Sequence, residues 1–115
     1  MNKTIIILTV FLVGMLSDIS VLGEDSPHLD VMKIIKEKHG VNVKSIFATQ
    51  CSWCHGGYGM YGGKGPKLAG TPLTFEQVVD RISNGKSGLM PGFKKHLGEE
   101  KINALAEYIK MLPKE

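Results

Sequence analysis

Four segments of this chain place apolar residues three and four positions apart, which is the spacing of an amphipathic helix. The first segment follows Ser26 and Pro27, a typical helix start, and Gly40 ends it. The second is short, follows Asn42 and runs directly into Cys51. The residues predicted to face inward are Val31, Ile34 and Ile35 in the first helix, and Val43, Ile46 and Phe47 in the second.

Two further helices are predicted in the C-terminal half. Thr74 and Gln77 form a capping box, in which each side chain bonds the backbone N–H of the other residue, and Gly85 ends this helix. The last helix is predicted over about 99–111, with acidic residues at its start and Pro113 after its end. No convincing strand or repeat is found, so the pattern predicts an all-α fold. The inward-facing residues are predicted to be Phe75, Val78, Val79 and Ile82, then Ile102, Leu105, Ala106 and Ile109.

Two loops separate these helices and differ sharply from them in composition. Residues 56–70 carry seven glycines and Pro66, so no regular element is predicted there. Residues 86–98 contain the sequence Met90-Pro91-Gly92-Phe93. Long loops inside a compact domain are usually functional. The first of these loops directly follows the most informative motif of the chain.

That motif is Cys51-Ser52-Trp53-Cys54-His55. Two cysteines three positions apart, with a histidine after the second, are the pattern of covalent haem attachment. Each thiol adds across one vinyl group of the porphyrin, and the histidine becomes an axial ligand of the iron. The chain has no other cysteine, so this interpretation uses both thiols.

Three other interpretations of the cysteine pair have to be weighed. A zinc site needs four ligands, and the chain has neither a second Cys-x-x-Cys nor a suitably spaced histidine pair. A thioredoxin-like redox pair requires a strand before it, which the pattern does not predict. A structural disulfide remains possible, although so short a loop gives little entropic stabilisation. The pattern favours haem attachment.

The N-terminus predicts export. Residues 4–16 form an almost uninterrupted apolar run after Lys3, shorter than the roughly 20 residues of a transmembrane helix. Val21 and Gly23 supply small residues for cleavage, so we predict a signal peptide over residues 1–23 and a periplasmic or otherwise exported protein. An uncleaved membrane anchor is the alternative. The net charge of +3 is too small to indicate nucleic-acid binding.

The order of motifs resembles that of class I c-type cytochromes. After the Cys-x-x-Cys-His motif come Gly65-Pro66-Lys67-Leu68, Met90-Pro91 and Leu105-Ala106-Glu107-Tyr108-Ile109, and the resemblance covers about residues 42–112. It implies the cytochrome c fold, in which three core helices surround one covalently bound haem c. The predicted organisation is therefore a signal peptide, an N-terminal helical extension over 24–41 and a cytochrome c domain over 42–115.

The resemblance also implies roles for individual residues. Cys51 and Cys54 would hold the haem by thioether bonds, and His55 would ligate the iron. In the family, the carbonyl of the proline in Gly-Pro-x-Leu accepts a hydrogen bond from the ligating histidine ring, and Pro66 matches it. Met90 matches the second axial ligand. Leu68, which completes the Gly-Pro-x-Leu motif, is included in the predicted haem-binding set.

Several assignments stay open at this point. Val43 stands where many relatives have a glycine at the crossing of the first and last helices, so the crossing is expected to be wider or shifted. Met60 competes with Met90 as a ligand but lies only five residues from His55. Trp53 is expected either against the haem edge or partly exposed. The candidates for binding the haem propionates are Tyr58, Tyr61 and Arg81, and the histidines expected to be solvated are His28, His39 and His96.

The function that this pattern predicts is electron transfer. With both axial positions filled, the iron would have no open position for a substrate, so the chain is not expected to be an enzyme. It would carry one electron between periplasmic redox partners, such as a dehydrogenase and a membrane oxidase complex. The alternatives are an electron-transfer subunit of a larger oxidoreductase, and a haem enzyme or sensor should Met90 not bind.

Overall fold

The computed structural model describes residues 26–114, so the predicted signal peptide lies outside the described residues. Within this range the chain forms five α-helices and one 3-10 turn. The only β-type pairing in residues 26–114 is an isolated bridge between Lys86 and Met90, and the all-α prediction is confirmed. The helices are α1 (Pro27–His39), α2 (Val43–Gln50), α3 (Ser52–His55), α4 (Phe75–Asn84) and α5 (Lys94–Met111), and the 3-10 turn is Gly57–Gly59.

The helix ends largely follow the predicted signals. Gly40 ends α1 in the left-handed conformation, with φ of +68°. The Asn42 side chain accepts a hydrogen bond from the backbone of Ser45 and caps α2. Both bonds of the predicted capping box between Thr74 and Gln77 are present at the start of α4. These local signals succeed because each one satisfies backbone groups that a helix terminus leaves unpaired.

The centre of the core is the crossing of α2 and α5. The rings of Phe47 and Tyr108, both fully buried, meet edge to face with centroids 5.7 Å apart. The Tyr108 hydroxyl donates a hydrogen bond of 2.7 Å to the backbone carbonyl of Tyr58 in the 3-10 turn. Val43 is buried at the start of α2, so the crossing accommodates a branched side chain there.

The helix α1 is packed against α5. Val31, Met32 and Ile35 bury its apolar face. At its C-terminal end, the Lys38 ammonium and the His39 ring bind the two carboxylate oxygens of Glu107 at 2.6 and 2.7 Å. Helix α1 is therefore held on α5 by its apolar face and by the contacts of Lys38 and His39 with Glu107.

The prediction that Ile34 and Phe75 face inward is wrong, because both are exposed. Ile34 is 45% exposed, and Met32 takes the buried position on α1 instead. Phe75 is 39% exposed, because it is the first residue of α4 and lies at the margin of the core. His39 is paired with Glu107 rather than solvated, and His28 stacks on the Tyr58 ring.

The loop regions also differ in detail from the predictions. The 3-10 turn Gly57–Gly59 lies in the loop for which no regular element was predicted. The last helix starts five residues earlier than predicted, at Lys94, and is interrupted at Gly98, whose φ of +77° suits glycine. The predicted inward-facing residues of α5 are confirmed, since Ile102, Leu105, Ala106 and Ile109 are all buried.

Glu107 provides a test of the contact between α1 and α5. Hydrogen bonds from Lys38 and His39 lower the pKa of this carboxyl below its ordinary value. A lowered folded-state pKa gives stability that is present above the unfolded pKa of about 4.3 and is lost as the pH falls through the folded value. We expect Glu107→Gln to destabilise the protein at pH 7 by about 0.5–1 kcal/mol, with the difference from wild type shrinking below about pH 4.

Urea unfolding of both proteins between pH 7 and pH 3 measures this difference. Glu37→Gln is the matched control, because Glu37 is exposed on α1 and has no ion pair in residues 26–114. Equal stability of wild type and Glu107→Gln at pH 7 would show that the contact contributes nothing.

Candidate haem site

All six residues predicted to bind haem line one cavity of about 640 Å³. They are Cys51, Cys54, His55, Pro66, Leu68 and Met90. The volume lies in the range of about 300–1,000 Å³ that is usual for sites enclosing a small molecule or cofactor. Much of the wall is apolar and comes from α2, α4 and α5, so the residues here fit a large flat hydrophobic group.

His55 is held in one orientation and one tautomer. Its ring is buried at the end of α3, and Nδ1 lies 2.8 Å from the backbone carbonyl oxygen of Pro66. A carbonyl can only accept, so the proton is on Nδ1 and the lone pair of Nε2 is left free to bind a metal. Gly65 makes room for this arrangement, since a Cβ there would lie 2.8 Å from Cε1 of the ring.

The two cysteines are half-buried free thiols. Cys51 immediately precedes α3, and Cys54 lies within it. Burial first, and the neighbouring Cys54 second, raise the pKa of the Cys51 thiol to about 11. No cluster of three or more His, Cys, Asp or Glu side chains suited to a metal ion occurs between residues 26 and 114, and the structure shows no disulfide between the pair. The arrangement presents two thiols to the same cavity as His55.

The glycine-rich loop folds back closely on α3. The Gly65 N–H donates to the Cys54 carbonyl at 2.7 Å, and the Gly62 N–H donates to the His55 carbonyl at 3.2 Å. Gly56 has a φ of +70°, and a Cβ there would overlap the carbonyl oxygen of Gly62. The glycines therefore allow two backbone segments to touch directly behind His55.

Met90 reaches the cavity from a tight loop at the end of α4. Lys86 and Met90 exchange two backbone hydrogen bonds of 2.8 Å, and the Phe93 N–H donates to the Ile82 carbonyl at 2.8 Å. A Cβ on Gly85 would clash with the backbone of this loop. Met60, the competing methionine, is buried but does not line the cavity.

The candidates for binding the haem propionates, and Trp53, differ in whether they line the cavity. Arg81 lines the cavity, whereas Tyr58 and Tyr61 do not. Trp53 is 81% exposed and does not line the cavity, and the Lys64 ammonium lies 5.0 Å from its ring centroid. Neither the exposure of Trp53 nor the lining position of Arg81 carries a local sequence signal.

Comparison with known proteins identifies the class of this fold and site. The family model described as cytochrome c oxidase, cbb3-type, subunit III matches residues 40–109, so the chain belongs to this family of c-type cytochrome domains. It is a class I monohaem cytochrome c with covalently bound haem c, and its class acts in electron transfer.

Individual relatives agree with this assignment. The chain is 36% identical over 70 residues to cytochrome c6 of Leptolyngbya boryana, covering 56% of this chain and 81% of that protein. It is 30% identical over 79 residues to the cbb3-type cytochrome c oxidase subunit FixP of Bradyrhizobium diazoefficiens, covering 60% of this chain. The match spans only 26% of the FixP subunit, about a quarter of its length.

A solved structure supports the fold. The KustC0563 c-type cytochrome superposes with a TM-score of 0.57 at 23% identity, covering 64% of this chain and all of that one. Helix α1 begins before the family match, so it is outside the part of the chain that the family model describes. The described residues include no helix long and apolar enough to cross a membrane.

Gly65 tests the fit around His55. We expect Gly65→Ala to destabilise the holoprotein by about 1–3 kcal/mol, the usual cost of overpacking, because the new methyl group would press on the His55 ring. Gly57→Ala is the control, since its Cβ would meet only the Tyr61 side chain, which is exposed and can move. Denaturant unfolding measures both, and equal midpoints for the two variants would contradict a tight fit at Gly65.

Proposed function

We propose that this protein carries one electron at a time between exported redox partners, with Cys51 and Cys54 holding the haem and His55 and Met90 as its axial ligands. The observation that carries the proposal is that these four side chains line one largely apolar cavity. When bound, the haem supplies one-electron Fe(III)/Fe(II) chemistry, and ligation by His and Met favours the reduced form relative to two harder ligands.

The protein's own residues would do three things in this site. The Pro66 carbonyl orients His55 and fixes its tautomer, which leaves Nε2 as the donor atom. The hydrogen-bonded loop from Lys86 to Met90 holds the thioether sulfur at the cavity. The apolar wall, including Leu68, limits access of water. If His55 and Met90 both bind the iron, no coordination position is left for a substrate. We therefore infer that the chain is not an enzyme by itself.

We also propose that residues 1–23 are a cleaved signal peptide, that 24–41 is an extension and that 42–115 is the cytochrome c domain. The apolar run after Lys3 supports export, and a periplasmic location would suit a haem protein with this motif. The partners would be a donor and an acceptor protein, such as a dehydrogenase or a membrane oxidase complex.

A second candidate function follows from the family match. The chain is similar to part of FixP, which is a subunit of a cbb3-type oxidase, so this cytochrome would instead serve as an electron-transfer subunit of a larger oxidoreductase. The two candidates differ in whether the purified protein is free or remains bound to other chains.

Met90 tests the assignment of the second ligand. We expect Met90→Leu to abolish the weak far-red absorption of a thioether bound to ferric haem, to lower the reduction potential and to permit carbon monoxide binding. Met60→Leu, which replaces a buried methionine away from the cavity, is expected to leave all three unchanged. Unchanged spectra for Met90→Leu, or ready carbon monoxide binding by the reduced wild type at neutral pH, would favour a haem enzyme or sensor.

The lysines around the site test where electrons are exchanged. Lys64, Lys67 and Lys86 line the cavity and are exposed, and Lys94 and Lys95 are exposed at the start of α5. If electrons leave the haem through the surface that carries these lysines, its positive charge attracts anionic partners. This attraction weakens as the Debye length falls from about 30 Å at 0.01 M salt to about 10 Å at 0.1 M. We therefore expect oxidation by hexacyanoferrate(III), an anion, to slow over this range.

Stopped-flow rates across the salt range measure this effect. A Lys64/Lys86→Glu double variant should lose most of the salt-dependent slowing, whereas Lys33/Lys36→Glu, an equal charge change on α1, should retain it. The same salt profile for both double variants would place electron exchange away from the lysine-lined side of the cavity.

A further inference from the structure

Two large aromatic side chains outside the haem cavity are exposed. Trp53 is 81% exposed and Tyr61 is 77% exposed, and neither lines the cavity. Single exposed apolar side chains are ordinary on a protein surface, so exposure alone does not indicate a partner. These two differ because the fold joins the segments that carry them. Tryptophan and tyrosine are also among the residues that contribute most often to the affinity of protein–protein interfaces.

The two rings extend from a junction between α3 and the glycine-rich loop. The loop folds back on α3, and the Gly65 N–H donates to the Cys54 carbonyl at 2.7 Å. Trp53 directly precedes Cys54, and the Lys64 ammonium lies 5.0 Å from the centroid of the Trp53 ring. Tyr61 lies on the same loop, shortly before Lys64. Together, Trp53, Tyr61 and Lys64 form what we name the aromatic patch, and the hydrogen-bonded backbone beneath it lowers the entropy cost of binding there.

The charge of the segment around the aromatic patch has one sign. Residues 40–75 carry three lysines but no aspartate or glutamate. The acidic residues between positions 26 and 114 lie on α1, α4 and α5 instead. The ion pairs of this part of the chain are both made by Glu107, so Lys64 has no carboxylate partner there. A cation beside an exposed indole is therefore available to a carboxylate of another molecule.

We propose that the aromatic patch is a docking surface for an acidic protein, whose carboxylates pair with Lys64 while an apolar side chain covers Trp53. Charge complementarity selects an acidic partner, and the exposed rings offer apolar area that a small anion would not use. Excluding water from the indole also strengthens its attraction for the Lys64 ammonium. Trp53 stands between the two cysteines, so a partner that covers it comes close to the haem. The inference rests on the proposed function and gives the chemistry of one redox partner's contact surface.

Another exposed apolar side chain provides the comparison that the proposal needs. Leu89 is 74% exposed, and it lines the cavity next to Met90. A partner that covered Leu89 would dock over the mouth of the cavity rather than over α3. Trp53→Ser and Leu89→Ser therefore remove exposed apolar side chains from two different places, and their effects on binding show which place a partner covers.

Nuclear magnetic resonance of the isotope-labelled, reduced holoprotein observes the aromatic patch directly. Trp53 is the only tryptophan of the chain, so it gives the only indole N–H signal. The probes are three short synthetic peptides, which alternate glutamate with leucine, glutamate with serine, and lysine with leucine. We expect the glutamate–leucine peptide to shift the indole signal and to bind more tightly than the other two. The backbone amide signals of Gly57 and Gly62, on either side of Tyr61 and its loop, should shift with it.

Substitutions in the aromatic patch should weaken binding of the glutamate–leucine peptide. In Trp53→Ser, read from the glycine amides, we expect a loss of at least about fivefold, as for an aromatic side chain that contributes to an interface. Lys64→Gln should also weaken binding, whereas Lys33→Gln, which removes an exposed lysine from α1, should not. Leu89→Ser should stay within about twofold of wild type, as surface substitutions away from a contact usually do. If Trp53→Ser yields no holoprotein, Tyr61→Ser takes its place and should also weaken binding.

The outcomes separate this proposal from the proposed function. Equal peptide affinity of wild type and Trp53→Ser would overturn the docking surface and leave electron transfer untouched, as would a larger loss in Leu89→Ser. An indole signal that shifts with protein concentration alone would overturn the acidic partner and identify a second copy of this chain as the occupant. A wild-type protein without the far-red absorption would overturn the proposed ligation, and the peptide titration would still decide whether Trp53 lies in an acidic-protein docking surface.

Discussion

The crossing of α2 and α5 is the contact on which the site depends. Phe47 and Tyr108 meet at its centre, and both rings are fully buried. Because α3 follows α2 directly, this contact fixes the position of the cysteines and of His55. The Tyr108 hydroxyl extends the same support to the glycine-rich loop by bonding the Tyr58 carbonyl. Burial raises the pKa of Tyr108 well above its ordinary value, so the hydroxyl stays a donor in any ordinary buffer.

The parts of the site that follow from the sequence are those specified by local chemistry. The motif that ends at His55 and the capping box at Thr74 require only neighbouring residues. Pro66 was assigned through resemblance, and the structure places its carbonyl 2.8 Å from the His55 ring. In each case the interacting residues are close in sequence or belong to a motif with defined spacing. Their contact can therefore be predicted without knowing how distant parts of the chain pack.

The features that the sequence did not predict depend on distant partners. His39 binds Glu107, which is 68 residues away, and no local pattern could identify that pair. Ile34 was predicted to face inward because it has helical spacing, yet α5 covers the face that contains Met32. Arg81 lines the cavity whereas Tyr58 and Tyr61 do not, and no local pattern distinguishes the three. Helical spacing finds an apolar face, but only packing decides how wide the buried stripe is and which residue lies at its centre.

The packing of α1 on α5 joins the two ends of the described chain. The chain is synthesised from α1 towards α5, so the face of α1 that packs on α5 has no such cover until α5 has been made. The apolar contact and the bonds to Glu107 join the first and the last helix of residues 26–114. The contact between α1 and α5 therefore forms only after the segment that carries the two thiols has been made, because that segment lies between the two helices.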